Sequence, residues 1–386
     1  MIEALSVRNY RSLLDITLPL VGLNIITGAN GSGKSNLYRA LRLLSHTATG
    51  DVVSALAAEG GLPSTFWAGP ESLSRAMRSG EHKVQGGPRN QVKRLSLGFA
   101  GDSLSYLIEL GLPEPSSSAF SLDPEIKREC IWNGPVYRAA SCLVDRKGPS
   151  VKVRDGRRWK VLDTRLPPFA SMLAEVADFQ STPEIFRLRE EIRQWRFYDH
   201  FRGDTEAPAR QTQLATRTPI MHHDGRDLAA ALQTIKEVGD RDKLNASIDA
   251  AFPGTRLHLQ RVGEAGLAVE LEQPGMLRHL SAQELSDGTL RFLLWVAALL
   301  TPRPPPLMVL NEPETSLHPD LLPALAGLIA HASTECQIWV VTHSNRLINA
   351  LEQQTECTSL RLEKDLGETR LCGQGLLNTP AWQWAN

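Results

Sequence analysis

Apolar and polar positions alternate in different rhythms along the chain, and each rhythm predicts an element. Alternation from Leu5 to Leu20, interrupted at Asn9-Tyr10-Arg11-Ser12, predicts an N-terminal hairpin. The run Leu23-Asn24-Ile25-Ile26-Thr27 is short, β-branched and stopped by Gly28, which predicts a buried strand. Leu37, Leu41 and Leu44 then fall on one face at helical spacing, predicting a helix from about Lys34 to Leu44. From about Gly50 to Gln180 the rhythm shortens. Alternating segments such as Leu104 to Leu110 and Val151 to Val153 lie between turn-rich stretches, Gly86-Gly87-Pro88 and Pro113 to Ser118 among them. This middle part reads as an antiparallel β lobe. Ile185, Leu188, Ile192 and Trp195 recur at three- and four-residue steps among Arg and Glu, predicting an amphipathic helix over Glu184 to Phe197, too short for a long coiled-coil arm.

Beyond about Arg256 strands and helices take turns. Leu257 to Leu259 and Leu267 to Leu271 alternate as a hairpin does, while Leu307 to Leu310 and Ile338 to Val341 are continuous apolar runs of buried strands. Helices are expected at about Gly288 to Leu300 and Pro319 to Ala332, and a last strand pair near Ser359 to Leu371. Buried strands separated by helices give an α/β class with a mixed sheet under covering helices. The expected division is a head made of 1–50 and 205–386, carrying an inserted β-rich lobe over 51–204 that ends in the amphipathic helix.

Composition narrows this little. At 386 residues the chain can bury a large core, and a formal charge of −1 offers no global basic field, so any nucleic-acid site must be local. The longest apolar run, Phe292 to Leu300, is far short of the roughly 20 residues that cross a bilayer. The opening Met-Ile-Glu-Ala-Leu has neither the basic nor the apolar region of a signal peptide. Cys130, Cys142, Cys336, Cys357 and Cys372 are scattered and never form C-x-x-C. That favours a reducing compartment and argues against a disulfide framework or a zinc site. A cytoplasmic protein without membrane attachment is expected.

The chemistry concentrates in a few motifs. Gly28-Ala29-Asn30-Gly31-Ser32-Gly33-Lys34-Ser35 satisfies G-x-x-x-x-G-K-[ST] with a strand before it and a helix after it, the setting of a phosphate-binding P-loop. Glycines let backbone N–H groups wrap a phosphate at a helix N-terminus, Lys34 reaches the β- and γ-phosphates, and Ser35 offers a hydroxyl to Mg²⁺. Leu307-Met308-Val309-Leu310-Asn311-Glu312-Pro313-Glu314 has the form of a Walker B strand, and its pattern makes Glu312 a candidate general base. The strand Ile338 to Val341 ends in Thr342-His343-Ser344, where a histidine can hold a γ-phosphate and its attacking water. Leu285-Ser286-Asp287-Gly288-Thr289 opens another helix and forms a second helix-start anion site. One γ-phosphate has no need of two such sites in one chain, which suggests that the second faces a nucleotide held by another copy.

In this order, P-loop, LSDGT-x-R-F-L, L-N-E-P-E-T-S-L-H-P and V-V-T-H-S, the chain resembles the RecF/SMC branch of ABC ATPases, and in particular RecF-like bacterial AAA ATPases. The match is specific over about 1–46 and 278–350, and Asn9-Tyr10-Arg11-Ser12 belongs to it. The resemblance implies an ATPase that dimerises head to head on ATP and Mg²⁺, acting in DNA repair, DNA maintenance or phage defence. It implies nucleotide contacts from Gly28, Asn30, Gly31, Ser32, Gly33, Lys34, Ser35 and Asn36, with Ser35 and Asn311 at the metal and Arg11 as a further candidate. It also implies Ser286 and Gly288 as the signature reaching across the dimer, Ser316 to His318 as a dimer-contacting D-loop, Glu312 as catalytic carboxylate and His343 as switch histidine. The alternative function is a nucleotide-gated switch with little hydrolysis that regulates a partner effector.

Three departures stand out. Asn311 replaces the usual metal-supporting Asp, which should lower metal affinity. Asp287 and Thr289 replace a signature glycine and glutamine, and the added charge of Asp287 would repel a phosphate unless it points away. The Q-loop has only Gln85 and Gln91 as candidates, by order alone. Elsewhere, Arg146, Lys147, Lys152, Arg154, Arg157, Arg158 and Lys160 form a basic stretch that could track DNA or be a solvated hairpin face. His222-His223-Asp224 reads as a solvated loop before a metal site. No appended nuclease domain is expected after the last strand pair.

Overall fold

Apart from Leu23–Gly28, the strands up to Arg165 gather into one antiparallel sheet of eight strands. The computed structural model describes residues 1–71, 74–85, 92–374 and 379–384. Its contacts divide into two units: Met1–Val21, Thr27–Trp195 and Leu360–Asn386 in the first, Gly22–Ile26 and Arg196–Ser359 in the second.

In the first unit the sheet runs Leu13–Pro19, Ile2–Tyr10, Leu95–Gly101, Leu104–Gly111, Glu125–Asn133, Cys142–Lys147, Ser150–Asp155, Arg158–Arg165 in spatial order. The N-terminal hairpin expected from alternation is therefore the edge of the β lobe: Val7 pairs with Ile16 on one side and Leu97 on the other. The contacts group the chain differently from the expected insert over 51–204, because strand pairing joins segments far apart in sequence.

Leu95–Gly101 and Leu104–Gly111 are buried along their whole length, so these central strands lie covered on both faces. Helix Lys34–Thr47 places Leu37, Leu41 and Leu44 in the interior, as the spacing predicted. Trp132 packs edge-on to Tyr137 and against Trp382, and Gly98 leaves the space that Trp382 fills. The amphipathic helix covers Pro183–Arg193 and buries Ile185, Leu188 and Ile192. It stops short of Phe197, because Arg196–Tyr198 is instead a strand, a tertiary pairing that helical spacing could not reveal. The hairpin Thr358–Asp365 and Glu368–Leu371 is the expected last strand pair.

In the second unit Arg196–Tyr198, Leu307–Asn311, Gln337–Val341 and residues 23–26 form a parallel ladder. Such a sheet needs cover on both faces. Helix Asp287–Leu299 is buried at every position from Leu290 to Leu299, and Leu322–Ala332, preceded by the 3₁₀ turn Pro319–Leu321, buries Leu322, Leu325, Leu328 and Ile329 with Ala326 and Ala332 against the same core. A small antiparallel sheet centres on Gly266–Glu272, flanked by Arg256–Val262 on one side and by Gln213–Leu214 and Leu280–Ser281 on the other. Among the described residues no helix is long and apolar enough to cross a membrane. The Gly86-Gly87-Pro88 turn and Gln91 lie outside the described residues, and Gln85 is an exposed loop residue.

Candidate nucleotide site

Strand Leu23–Gly28 ends in the glycine-rich loop, and helix Lys34–Thr47 begins immediately after it. Three glycines of the loop have positive φ: Gly28 at 145°, Gly31 at 79° and Gly33 at 109°. Space demands glycine twice as well. A Cβ on Gly28 would lie 2.4 Å from the Leu362 carbonyl oxygen, and one on Gly33 would lie 2.0 Å from Thr369 Oγ1. Gly31 instead opens onto empty space, and Ala29, Asn30 and Gly31 are exposed at the mouth of the loop.

Lys34 lies almost buried, its Nζ donating to the carbonyls of Gly28 at 2.6 Å and Ala29 at 3.3 Å. The Ser32 hydroxyl is 4% exposed at the residue level and its oxygen has no hydrogen-bond partner. A buried hydroxyl without a partner costs free energy unless something else completes it. Together with an uncapped helix start lacking acidic residues in its first turn, this orphan atom fits an anionic ligand of phosphate size. Ser35 is exposed at the start of the helix, where its hydroxyl is free to meet a hard cation.

The loop is tied down by residues that the motif does not contain. Thr369 Oγ1 donates to the Ser32 carbonyl at 2.8 Å and lies 2.7 Å from Ser12 Oγ, which accepts from Asn36 Nδ2 at 2.7 Å. Ser12 was legible as part of the N-terminal motif; Thr369 had no signal at all. Arg11, at φ 50°, is engaged elsewhere: its guanidinium pairs with Glu59 at 2.7 Å, and Tyr10 donates to the same carboxylate. Burial, with the Glu59 charge beside it, raises the Tyr10 hydroxyl well above the ordinary phenol range.

In the second unit the ends of two parallel strands converge. Glu312 follows Leu307–Asn311 in left-handed backbone, φ 49°, held by its N–H donating to the Val341 carbonyl at 2.7 Å. A residue other than glycine uncommonly occupies this region, and such strain gathers at functional sites. His343 Nδ1 stands 3.5 Å from Glu312 Oε1 and equally far from Glu314 Oε1. Sequence reasoning passed over Glu314. Its nearly buried carboxylate accepts from Thr342 Oγ1 at 2.5 Å and from the His343 N–H at 3.2 Å, so it fixes the turn carrying the histidine, while Oε2 is buried without a partner. The side chains of Glu312 and His343 remain about half exposed, and Asn311 is partly buried at the strand end.

Ser286 caps the helix Asp287–Leu299, its Oγ accepting from the Thr289 N–H at 3.2 Å. Asp287 is bound at 2.8 Å by Arg210, whose guanidinium also donates to the carbonyls of Gly203, Ala282 and Leu285. This nearly buried arginine, unremarked in the sequence, offsets the charge of Asp287 and fixes the turn before Ser286. Gly288 faces the Ser316 carbonyl, which a Cβ would meet at 3.2 Å, and Arg291 donates to the Thr315 carbonyl at 3.3 Å. Burial lowers the proton affinity of the Arg291 guanidinium. Ser316 has φ 62°, and the close approach of its carbonyl to Gly288 brings the Ser286 turn against the 316–318 loop.

The basic stretch divides. Arg146 is wholly buried, bound to Glu129 at 2.6 Å and to the carbonyls of Gly148, Pro167 and Ala170, and so is part of the core instead of a DNA-facing side chain. His222-His223-Asp224 lies in a turn, with Asp224 2.6 Å from His222 Nδ1.

Residues 1–68 match the family described as "AAA ATPase domain", and residues 165–349 match the family described as "AAA domain, putative AbiEii toxin, Type IV TA system". No curated protein is matched. Among solved structures, an SMC head bound to the C-terminal winged-helix domain of ScpA is 15% identical, with a TM-score of 0.51 over 97% of this chain and 98% of that one. The SMC head domain from Thermotoga maritima is 12% identical at TM-score 0.48, covering 97% and 99%. An SMC head with an extended coiled coil, bound to the C-terminal domain of ScpA derived from Pyrococcus furiosus, is 13% identical at 0.47, covering 96% and 95%. The chain thus carries AAA ATPase domain matches over residues 1–68 and 165–349, a P-loop of this construction, and the fold of an SMC head.

Proposed function

We propose that this chain binds ATP with Mg²⁺ on the P-loop, hydrolyses it, and works as a head-to-head dimer of the RecF-like kind in DNA repair, DNA maintenance or phage defence. The observation that carries the reading is the P-loop itself, where a buried serine hydroxyl without a partner and a lysine held against its own loop carbonyls await an anion. On binding, Lys34 exchanges carbonyl oxygens for phosphate oxygens, and the loop amides and Ser32 take the rest of the charge. Mg²⁺, when bound, would neutralise phosphate charge, with the Ser35 hydroxyl and the neutral Asn311 amide carbonyl as the residues offered to it. Glu312 accepts the proton of the attacking water, and His343, at ion-pair distance from that carboxylate, holds the water and the γ-phosphate. Ser286 and Gly288 of a second copy cap the phosphate from the far side. The exposed cations Lys152, Arg157, Arg158 and Lys160 supply a DNA-backbone contact.

The second reading is a nucleotide-gated switch with little turnover that controls a protein partner. Asn311 favours it, since an amide replaces the charge that supports the metal, and an SMC head of this fold is seen bound to ScpA. Turnover of Glu312→Gln against the parent chain separates the two. A measurable ATPase rate that falls by about 100-fold or more in the variant is expected for an acid–base role of Glu312. Equal background rates in both would sink the hydrolytic reading and leave the switch.

A further inference from the structure

The solvent face of the small sheet in the second unit brings together four side chains that nucleotide chemistry does not use. Leu267, Val269 and Leu271 point into the core, so Glu270 and Glu272 share the opposite face of the central strand. His258 faces Glu270 from one neighbouring strand, and Leu280 pairs with Leu271, which sets His279 beside Glu272 from the other. The two imidazoles meet over the central strand, stacked at 4.1 Å between centroids and 16° between planes. His258 Nε2 lies 2.9 Å from Glu272 Oε2, and His279 Nδ1 lies 3.1 Å from Glu270 Oε2.

We propose that His258, His279 and Glu272 form a binding site for a divalent transition-metal ion of the zinc class. Their ligand atoms all lie within 4.8 Å of one another. A tetrahedral zinc with bonds of about 2.0–2.2 Å needs those atoms somewhat closer together, and these side chains, about two-fifths exposed, can turn to close that gap. The backbone need not move, because three paired strands already fix the registers. Two imidazoles and a carboxylate are the donor set of zinc, cobalt and nickel, whereas magnesium and calcium take oxygen ligands only. Glu270 supplies the carboxylate against a ligand histidine that orients imidazoles in metal sites. No cysteine takes part, which is why cysteine spacing gave no sign of it. An ion here would tie His279, the last residue of the exposed turn after Glu272, to strand Arg256–Val262, and so pin the segment that leads to the signature serine, Ser286.

The full chain, stripped with a chelator, is titrated with Zn²⁺ against a chromophoric competitor in excess Mg²⁺, and with Co²⁺ for the absorption of a tetrahedral ion. One equivalent should bind, and His258→Gln and His279→Gln should each weaken it by at least about 10-fold. Zn²⁺ should raise the melting temperature of the parent chain but not of the double variant, whose melting temperature without metal should match the parent. Zinc bound equally by parent and double variant would assign it to another place, such as the 222–224 turn. No zinc bound by either, or displacement by Mg²⁺, would leave two cross-strand histidine–glutamate pairs only. Each of these results overturns the site.

Discussion

Thr369 decides how firmly the P-loop is held. Its hydroxyl donates to the Ser32 carbonyl and touches Ser12, and its side chain fills the space that any residue larger than glycine at position 33 would take. Thr369→Val keeps the volume and removes both hydrogen bonds, leaving a buried carbonyl and hydroxyl short of a partner at a cost of about 1–3 kcal/mol. Part of that cost falls on the loop geometry, so ATP affinity measured by calorimetry should drop by about 10-fold, with Thr369→Ser restoring most of it. Unchanged affinity in the valine variant would mean that the loop keeps its shape without this anchor. Lys34 and Ser35 could be read from the chain because P-loop residues are contiguous. Thr369 and Ser12 lie 357 positions apart, and Glu314 and Arg210 act through contacts that no local spacing encodes.

At the scale of elements, periodicity located the buried strands and most helices, since those patterns report a single face turned to a core. It failed where pairing partners decide the outcome. Residues 196–198 leave the helical rhythm because a strand edge is available, and the N-terminal hairpin joins the β lobe through Leu95–Gly101. The basic stretch failed for a different reason: alternation along Cys142–Lys147 sends Arg146 inward, to a pocket where Glu129 also accepts from Tyr106, Ser171 and the Met172 N–H. Every polar atom of that pair is thereby satisfied, and burial beside the Glu129 charge drives the Tyr106 hydroxyl far above its ordinary proton affinity. Arg146→Met would strand a buried carboxylate and should cost about 3–5 kcal/mol in chemical denaturation. A loss under about 1 kcal/mol would show that the pair is not what holds the lobe together. A charge-reversal test of DNA binding therefore has meaning only at exposed positions such as Lys152, Arg157, Arg158 and Lys160, where folding is spared.

Whole-molecule behaviour turns on whether the nucleotide bound by one copy is completed by another. The P-loop residues proposed to hold phosphate lie in one compact unit, while Glu312, His343 and the Ser286 turn, proposed as catalytic carboxylate, switch histidine and signature, belong to the other. Ser286 can be dispensed with as a ligand to its own P-loop if its role is to cap a neighbour's ATP, and complementation distinguishes the cases. Lys34→Ala removes the phosphate contact from its own chain but leaves a normal signature turn to present. Ser286→Arg keeps the P-loop and fills the signature surface with a bulky cation, so it should bind ATP as the parent does and fail to pair with itself. Mixed in equal amounts, these two inactive proteins should regain turnover up to about a quarter of the parent rate, since random pairing makes half of all two-fold dimers mixed and each mixed dimer keeps one of two complete sites. If each chain instead completes its own site, the mixture would stay as inactive as its components. Normal turnover in the serine variant alone would exclude the trans arrangement directly, because no route remains by which an arginine at position 286 could cap a partner's γ-phosphate.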